Sequence, residues 1–573
     1  MSIKLPGSIA SLLLALTTQA SAGELLIEQR LTDDGSLLVS YTPPPGVREV
    51  PLFNQQEVMH TVWTEMAAPL GHCASVTLKP RVTVMLAAGC RSAIFRITPR
   101  LLNRYAVNEP AFPAGRAAVM TYLGFFSAVP PGHTVRWRWV ANRGARTVVA
   151  GQVSSLPIDR VLPAKQVAFA AQDDGKTQAG FDASGSHEYV WLGSAEIEQL
   201  PGGVLIHDQA VDATVRSAVR DALRRNTARL ARAYGVAPAG PWTAVTSSAP
   251  GLHGFRGDVT AGRMMSLRFD PAVPQGFDIA GQVQRFVAHE VTHWWDTGIY
   301  RTDADRPWIH EGHAEWMAGL LMREAGLYSP DRWQASLETA LNNCLFARSD
   351  RASATLPTGF NRDDDTYACG QTLMLLAQAT RPRDAAPVDM AASLFQNTKA
   401  AVDVAAIARW ADSGQSGRMH RLLLDPQQGF SSALQRDWRD VLDIQDLVAG
   451  TELPSAVRSR LGSGLMGALM TADCGRMGFW TQADHFRIES IPSCHQLRGD
   501  MRVGRIAGIS PFSDPVGAWQ AASSACAAGL PVALDVGPAA TVSVTCPTPF
   551  PDLPIHHVLR LRPQALERLG LAP

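Results

Sequence analysis

The stretch Arg285-Phe-Val-Ala-His289-Glu290-Val-Thr-His293-Trp-Trp-Asp296 constrains this chain more than any other. The pattern His-Glu-x-x-His has meaning only on a helix. There, residues four apart stack on one face, so His289 and His293 point the same way and both imidazoles can reach one Zn²⁺. Glu290 sits beside the first histidine, close enough to take a proton from a water on the metal without being a ligand itself. Three fixed letters are a short motif, and the rest of the chain has to supply the context.

A zinc ion that does chemistry takes three protein ligands and keeps a fourth position open. The third candidate lies in Trp308-Ile-His310-Glu311-Gly312-His313-Ala314-Glu315-Trp316, where Glu311 opens a second helix and would complete a His₂Glu set. A helix with HExxH, a connecting segment and a helix beginning W-x-x-E-G-x-A-E resembles the gluzincin metallopeptidases, in particular the M1 aminopeptidase family, whose second helix reads W-L-N-E-G-F-A. Between His293 and Glu311 lie 17 residues, one fewer than in that family. His310 stands where the family has Asn, and His313 where it has Phe. A one-residue deletion between helices is tolerable and marks a divergent relative. His310 and His313 are expected to line the pocket or face solvent, because the site keeps its fourth position open. Glu315 occupies the place where the family has a carboxylate that orients a ligand histidine through its ring N–H.

A third piece follows 56 positions after Glu311, at Tyr367. Asp365-Thr-Tyr367-Ala-Cys369-Gly370 resembles the Y-x-K-G helix start of the M1 and M61 peptidases, with Cys369 in place of Lys. The resemblance implies that Tyr367 donates a hydrogen bond to the oxyanion. It implies one zinc ion on His289, His293 and Glu311, with Glu290 as general base, acting on a peptide or protein substrate. The G-x-M-E-N motif that binds a free amino group in the M1 family is missing. Gly251-Leu252-His253-Gly254 is a faint echo of the G-G-L-E-H of M61 enzymes. Aminopeptidase-like hydrolysis is therefore the expectation, with exo- and endopeptidase both open. The competing class is a catalytically weak or inactive peptidase-like protein that binds peptides, against which the intact Glu290 counts.

A chain of 573 residues is too long for one core and suggests roughly three domains. Its 46% apolar and 18% charged residues are those of a globular protein. Zero net charge gives no reason to expect nucleic acid as a partner. Lys4, the apolar run Leu12-Leu13-Leu14-Ala15-Leu16 and the Ala20-Ser21-Ala22 site read as a secretory signal over residues 1–22. The product would be exported, periplasmic or secreted, and no stretch is long enough to span a bilayer. Eight cysteines in an oxidising compartment allow 105 connectivities. Nearest-neighbour pairing gives Cys73–Cys90, Cys344–Cys369, Cys474–Cys494 and Cys526–Cys546, and the second of these would pin the helix carrying Tyr367.

The expected fold class is a multidomain α+β chain. Residues 23–200 form a β-rich, sandwich-like N-terminal domain, with Leu25–Leu31, Ser75–Leu78 and Thr134–Val140 as strands and Trp137 and Trp139 in its core. Residues 201–450 form the catalytic domain, which the resemblance makes thermolysin-like (gluzincin) with a helical C-terminal part. In it, Gly262–Phe269 is expected to be the edge strand above the zinc cleft, where a substrate backbone could pair. The acidic run Asp363-Asp364-Asp365 suits a helix N-terminus and lacks EF-hand spacing. Gly462-Ser-Gly464-Leu-Met-Gly467 matches a dinucleotide fingerprint in letters only and is read as linker. Residues 451–573 form a small, disulfide-containing β-rich domain. The order Leu497-Arg-Gly499-Asp500, Ile506-Ala-Gly508, a helix over 518–527 and strands at 531–536 and 541–545 resembles a bacterial PDZ domain, which M61 peptidases carry in this place. A plain disulfide-stapled β-domain fits the same stretch. If the domain is PDZ-like, the loop before Phe479-Trp480 would capture peptide C-termini.

Overall fold

The computed structural model describes residues 23–573 outside 53–56, 103–108, 129–133, 171–176, 184–187, 273–277, 349–364, 382–384, 414–416, 426–429, 439–443, 448–452, 554–557, 562–564, 569–573 and a few shorter gaps. The expected signal segment, the pair Asp363-Asp364, and Gly251 and His253 of the M61-like echo lie outside the described residues. The chain forms two compact units, one ending at Ile299 and one beginning at Tyr300. No helix among the described residues is long and apolar enough to cross a membrane.

The first unit begins with sheets whose strands alternate as the sequence does. In β1 (Glu24–Leu31), Leu25, Ile27 and Leu31 are buried while Glu24 and Arg30 are at the surface. It pairs antiparallel with β2 (Leu37–Thr42) and parallel with β3 (Thr134–Val140). Val135, Trp137 and Trp139 of β3 all point inward, and the two indoles stack with centroids 5.8 Å apart. They are core, as expected. A second, five-stranded sheet includes β4 (Tyr189–Gly193), and one continuous hydrophobic core runs through both sheets.

A third sheet carries the site. It contains β5 (Glu196–Leu200), β6 (Gly203–His207), β7 (Trp242–Ser248), β8 (Phe255–Val259) and β9 (Met264–Phe269), in the order β5-β6-β7-β9-β8. The three central strands are parallel and the two outer ones antiparallel to their neighbours. Between β6 and β7 runs α1 (Ala213–Tyr234), capped by Asp212 and stopped by Gly235 at φ 66°. The expectation for Gly262–Phe269 is corrected here. β9 lies between β7 and β8 with all six residues buried, and β8 is the edge strand. The alternation misleads because the charged member of β9 has internal partners: Arg268 meets Asp258 at 3.3 Å and lies over the Phe112 ring.

After α2 (Ile279–Asp296) closes the first unit, the second is helical at first, with α3 (Trp308–Glu324), α4 (Pro330–Arg348), α5 (Gly370–Ala379) and α6 (Pro387–Gln396). Two strands bring its middle and its C-terminal part together, β10 (Ile444–Leu447) pairing antiparallel with β13 (Val558–Leu561). Gln334, Glu338 and Asn342, spaced one turn apart on α4, hydrogen-bond the backbone of Leu559 and Leu561. The stretch read as linker is instead the middle of α7 (Ser455–Cys474). Its glycines are contact points: a Cβ on Gly462 would lie 2.7 Å from the Pro511 carbonyl oxygen, and one on Gly467 2.6 Å from Met477 Sδ. Two small three-stranded sheets follow, one beginning at β11 (Phe479–Thr481) and one that includes β12 (Val532–Gly537), with α8 (Pro515–Ala527) between the first and second strands of the latter. Helix α7 lies against both β11, through Ser463 and Thr481, and α8, through Gly464 and Trp519. All four cysteine pairs are bonded as nearest neighbours.

Candidate metal centre

The HExxH stretch forms α2 (Ile279–Asp296), which starts at an Asp278 cap accepting Gly281 N–H at 2.9 Å. One face is fixed by packing: Val283, Val287 and Val291 are buried, Trp294 stacks on Trp242 of β7, and Trp295 stacks on Tyr234 of α1. Phe286 marks the neighbouring face, one turn before His289 and Glu290. Edge strand β8 rests there, because a Cβ on Gly257 would fall 2.5 Å from Phe286 Cζ. The edge strand and the histidine helix are thus locked together within one unit.

His289 and His293 converge as helical spacing requires, with their Nε2 atoms 3.1 Å apart. On the far side of the His293 ring, Nδ1 lies 3.1 Å from Oδ1 of Asp296, whose side chain is fully buried. A buried carboxylate there accepts a hydrogen bond from Nδ1–H, which leaves the Nε2 lone pair directed at the partner imidazole. Two such nitrogens facing one point need a proton or a cation between them. Imidazole nitrogens with a carboxylate are a donor set that zinc accepts, so the residues fit the metal. Asp296 was not assigned a role from the sequence. The signal that could have found it is an acid three residues after the second histidine, on the same face.

In the second unit, Glu311 sits half-buried in the first turn of α3. His310 lies beside it, with Nδ1 3.4 Å from Thr302 Oγ1 and Nε2 3.7 Å from the Glu311 carboxylate. His313 differs from expectation. It does not face solvent, but is buried with its ring 4.4 Å from that of Phe395, because a position two residues from Glu311 turns toward α6. Glu315 is half-buried one turn on. Tyr367, also half-buried, lies in a wide π-type turn, Asp365–Cys369, that leads into α5. Such turns recur at functional sites. The Cys344–Cys369 bridge joins that turn to α4 with Cα atoms 4.6 Å apart. His289, Glu290 and His293 therefore belong to one unit, and Glu311, Glu315 and Tyr367 to the other.

No family model and no curated protein matches this sequence. The structure is similar to that of an aminopeptidase N family protein from Idiomarina loihiensis, with a TM-score of 0.55 and 13% identity over 96% of this chain and 100% of that one. The chain has an aminopeptidase N-type fold. An M1 zinc metallopeptidase from Deinococcus radiodurans gives a TM-score of 0.38 at 13% identity, over 72% of this chain and 93% of that one, and adds nothing to this assignment. At such identities the aminopeptidase N-type fold is what is shared, and the chemistry has to be argued from the residues.

Proposed function

We propose that this chain is an exported zinc metallopeptidase, aminopeptidase-like, in which His289, His293 and Glu311 hold one zinc ion. The observation that carries the reading is the convergence of His289 and His293 on one point, with Asp296 behind the second ring and Glu290 in the same turn. When bound, zinc supplies Lewis acidity, polarising a scissile carbonyl and bringing the pKa of water toward neutrality. Glu290 takes the proton of the attacking water and hands it to the leaving amine. The Tyr367 phenol donates to the oxyanion, and Glu315 orients a ligand histidine. An extended peptide pairs with the outer edge of β8, which no described strand covers.

The boundaries proposed are 23–200, 201–450 and 451–573, with export directed by residues 1–22; four disulfides are compatible with an oxidising compartment. Capture of peptide C-termini before β11, in a PDZ-like manner, would use the side of the small domain against which α7 packs. For that reason peptide recognition is assigned to β8. Metal analysis of protein purified without chelators tests the reading: one zinc per chain is expected, lost in His289→Ala, and protein that never carries zinc contradicts it.

A further inference from the structure

A cavity of about 960 Å³ opens in the first unit at the carboxyl ends of β6 and β7, the place where open sheets with parallel strands hold ligands. Its size is that of a small-molecule site. His207 ends β6 and Ser248 ends β7, Glu196 stands in register with His207 on the neighbouring strand β5, and Arg146 and Ser194 also line the cavity. Asp208 shapes the floor and is satisfied by its own loop, accepting the N–H groups of Ala210 at 3.0 Å and Ser248 at 2.9 Å.

Three lining groups are not satisfied in this way. His207 is 1% exposed, with Nε2 3.2 Å from the Glu198 carboxylate. Nε2 therefore carries the proton and Nδ1 is an acceptor, and Nδ1 has no partner among the described residues. Arg146 pairs in backbone register with Gly193, three positions before Glu196. Both charged side chains are exposed on the cavity wall, and neither forms an ion pair among the described residues. Opposite charges that share a cavity without bridging each other suit a molecule with an anionic and a cationic end.

We propose that this cavity binds a small zwitterion, a free α-amino acid or a dipeptide, with its carboxylate at Arg146 and its ammonium at Glu196. The proposal does not rest on the peptidase reading. The test is isothermal titration calorimetry on the full mature chain, zinc-stripped and carrying Glu290→Gln, with a panel of free amino acids and dipeptides beside their N-acetyl and C-amide derivatives. Saturable binding of at least one free zwitterion is expected, weakened about fivefold or more by blocking either end. Arg146→Ala should abolish the preference for a free carboxylate, and Glu196→Gln the preference for a free amine. No saturable binding by any member, or binding that neither substitution changes, overturns the proposal whether or not the protein hydrolyses peptides.

Discussion

Gly312 and Gly370 meet backbone to backbone: a Cβ on Gly370 would lie 2.5 Å from Gly312 Cα, and one on Gly312 would overlap Gly370 Cα. Gly312 follows Glu311, and Gly370 opens α5 directly after the turn that holds Tyr367. The crossing therefore sets how far Glu311 stands from the Tyr367 turn, and no side chain fits between them. Gly312→Ala should destabilise the protein by about 2–3 kcal/mol through overpacking. The urea midpoint measures this, and an unchanged midpoint would show that the two segments can part freely.

Asp296 lies 3.1 Å from His293 Nδ1, where it would support the proposed metal through that ring. Asp296→Asn keeps the shape but loses the acceptor charge, and should weaken zinc affinity about 10- to 100-fold. Competition with a chelator of known affinity reads this directly. Equal affinity in both proteins would remove Asp296 from the centre and leave only a buried helix contact.

Much of the site was legible because its spacing is local. His289, Glu290 and His293 need only helical geometry to be read, and the Glu311 helix announces itself in Trp308 to Trp316. Nearest-neighbour cysteine pairing also held. What stayed hidden depends on contacts distant in sequence. β9 alternates like a half-exposed strand, yet Arg268 finds Asp258 inside. His313 turns into a stack with Phe395, and the α7 glycines looked like linker until Pro511 and Met477 filled the space beside them. In each case the deciding partner lies on an element that periodicity cannot place.

Tyr367 and its bridge separate rate from stability. In the proposed oxyanion role, Tyr367→Phe should lower kcat about 10²-fold with little change in KM, since such a hydrogen bond would form only as charge develops on oxygen. Replacing Cys344 and Cys369 by Ser should lower stability by about 3 kcal/mol by freeing the unfolded chain. Steady-state kinetics and denaturant titration check the two. A Tyr367→Phe enzyme of normal kcat would assign the oxyanion to another donor.

His207 ties stability to pH. Burial lowers its pKa below the ordinary 6.5, outweighing the Glu198 hydrogen bond that raises it. The unfolded chain therefore takes up a proton first as pH falls, so the stabilisation is full above about pH 6.5 and is lost on descending toward the folded-state value. Thermal midpoints between about pH 5 and 8 should fall more steeply on the acid side for the native chain than for His207→Asn. Parallel profiles would contradict this.

The central claim, zinc-dependent hydrolysis with Glu290 as base, is tested most directly by product analysis of a mixed peptide library with free and acetylated N-termini. The zinc-loaded mature chain is run beside its Glu290→Gln variant at equal zinc content. Cleavage by the native chain, slowed by about 10²-fold or more in the variant, is the predicted result. Cleavage at the native rate by Glu290→Gln, or none by either zinc-loaded protein, would contradict it.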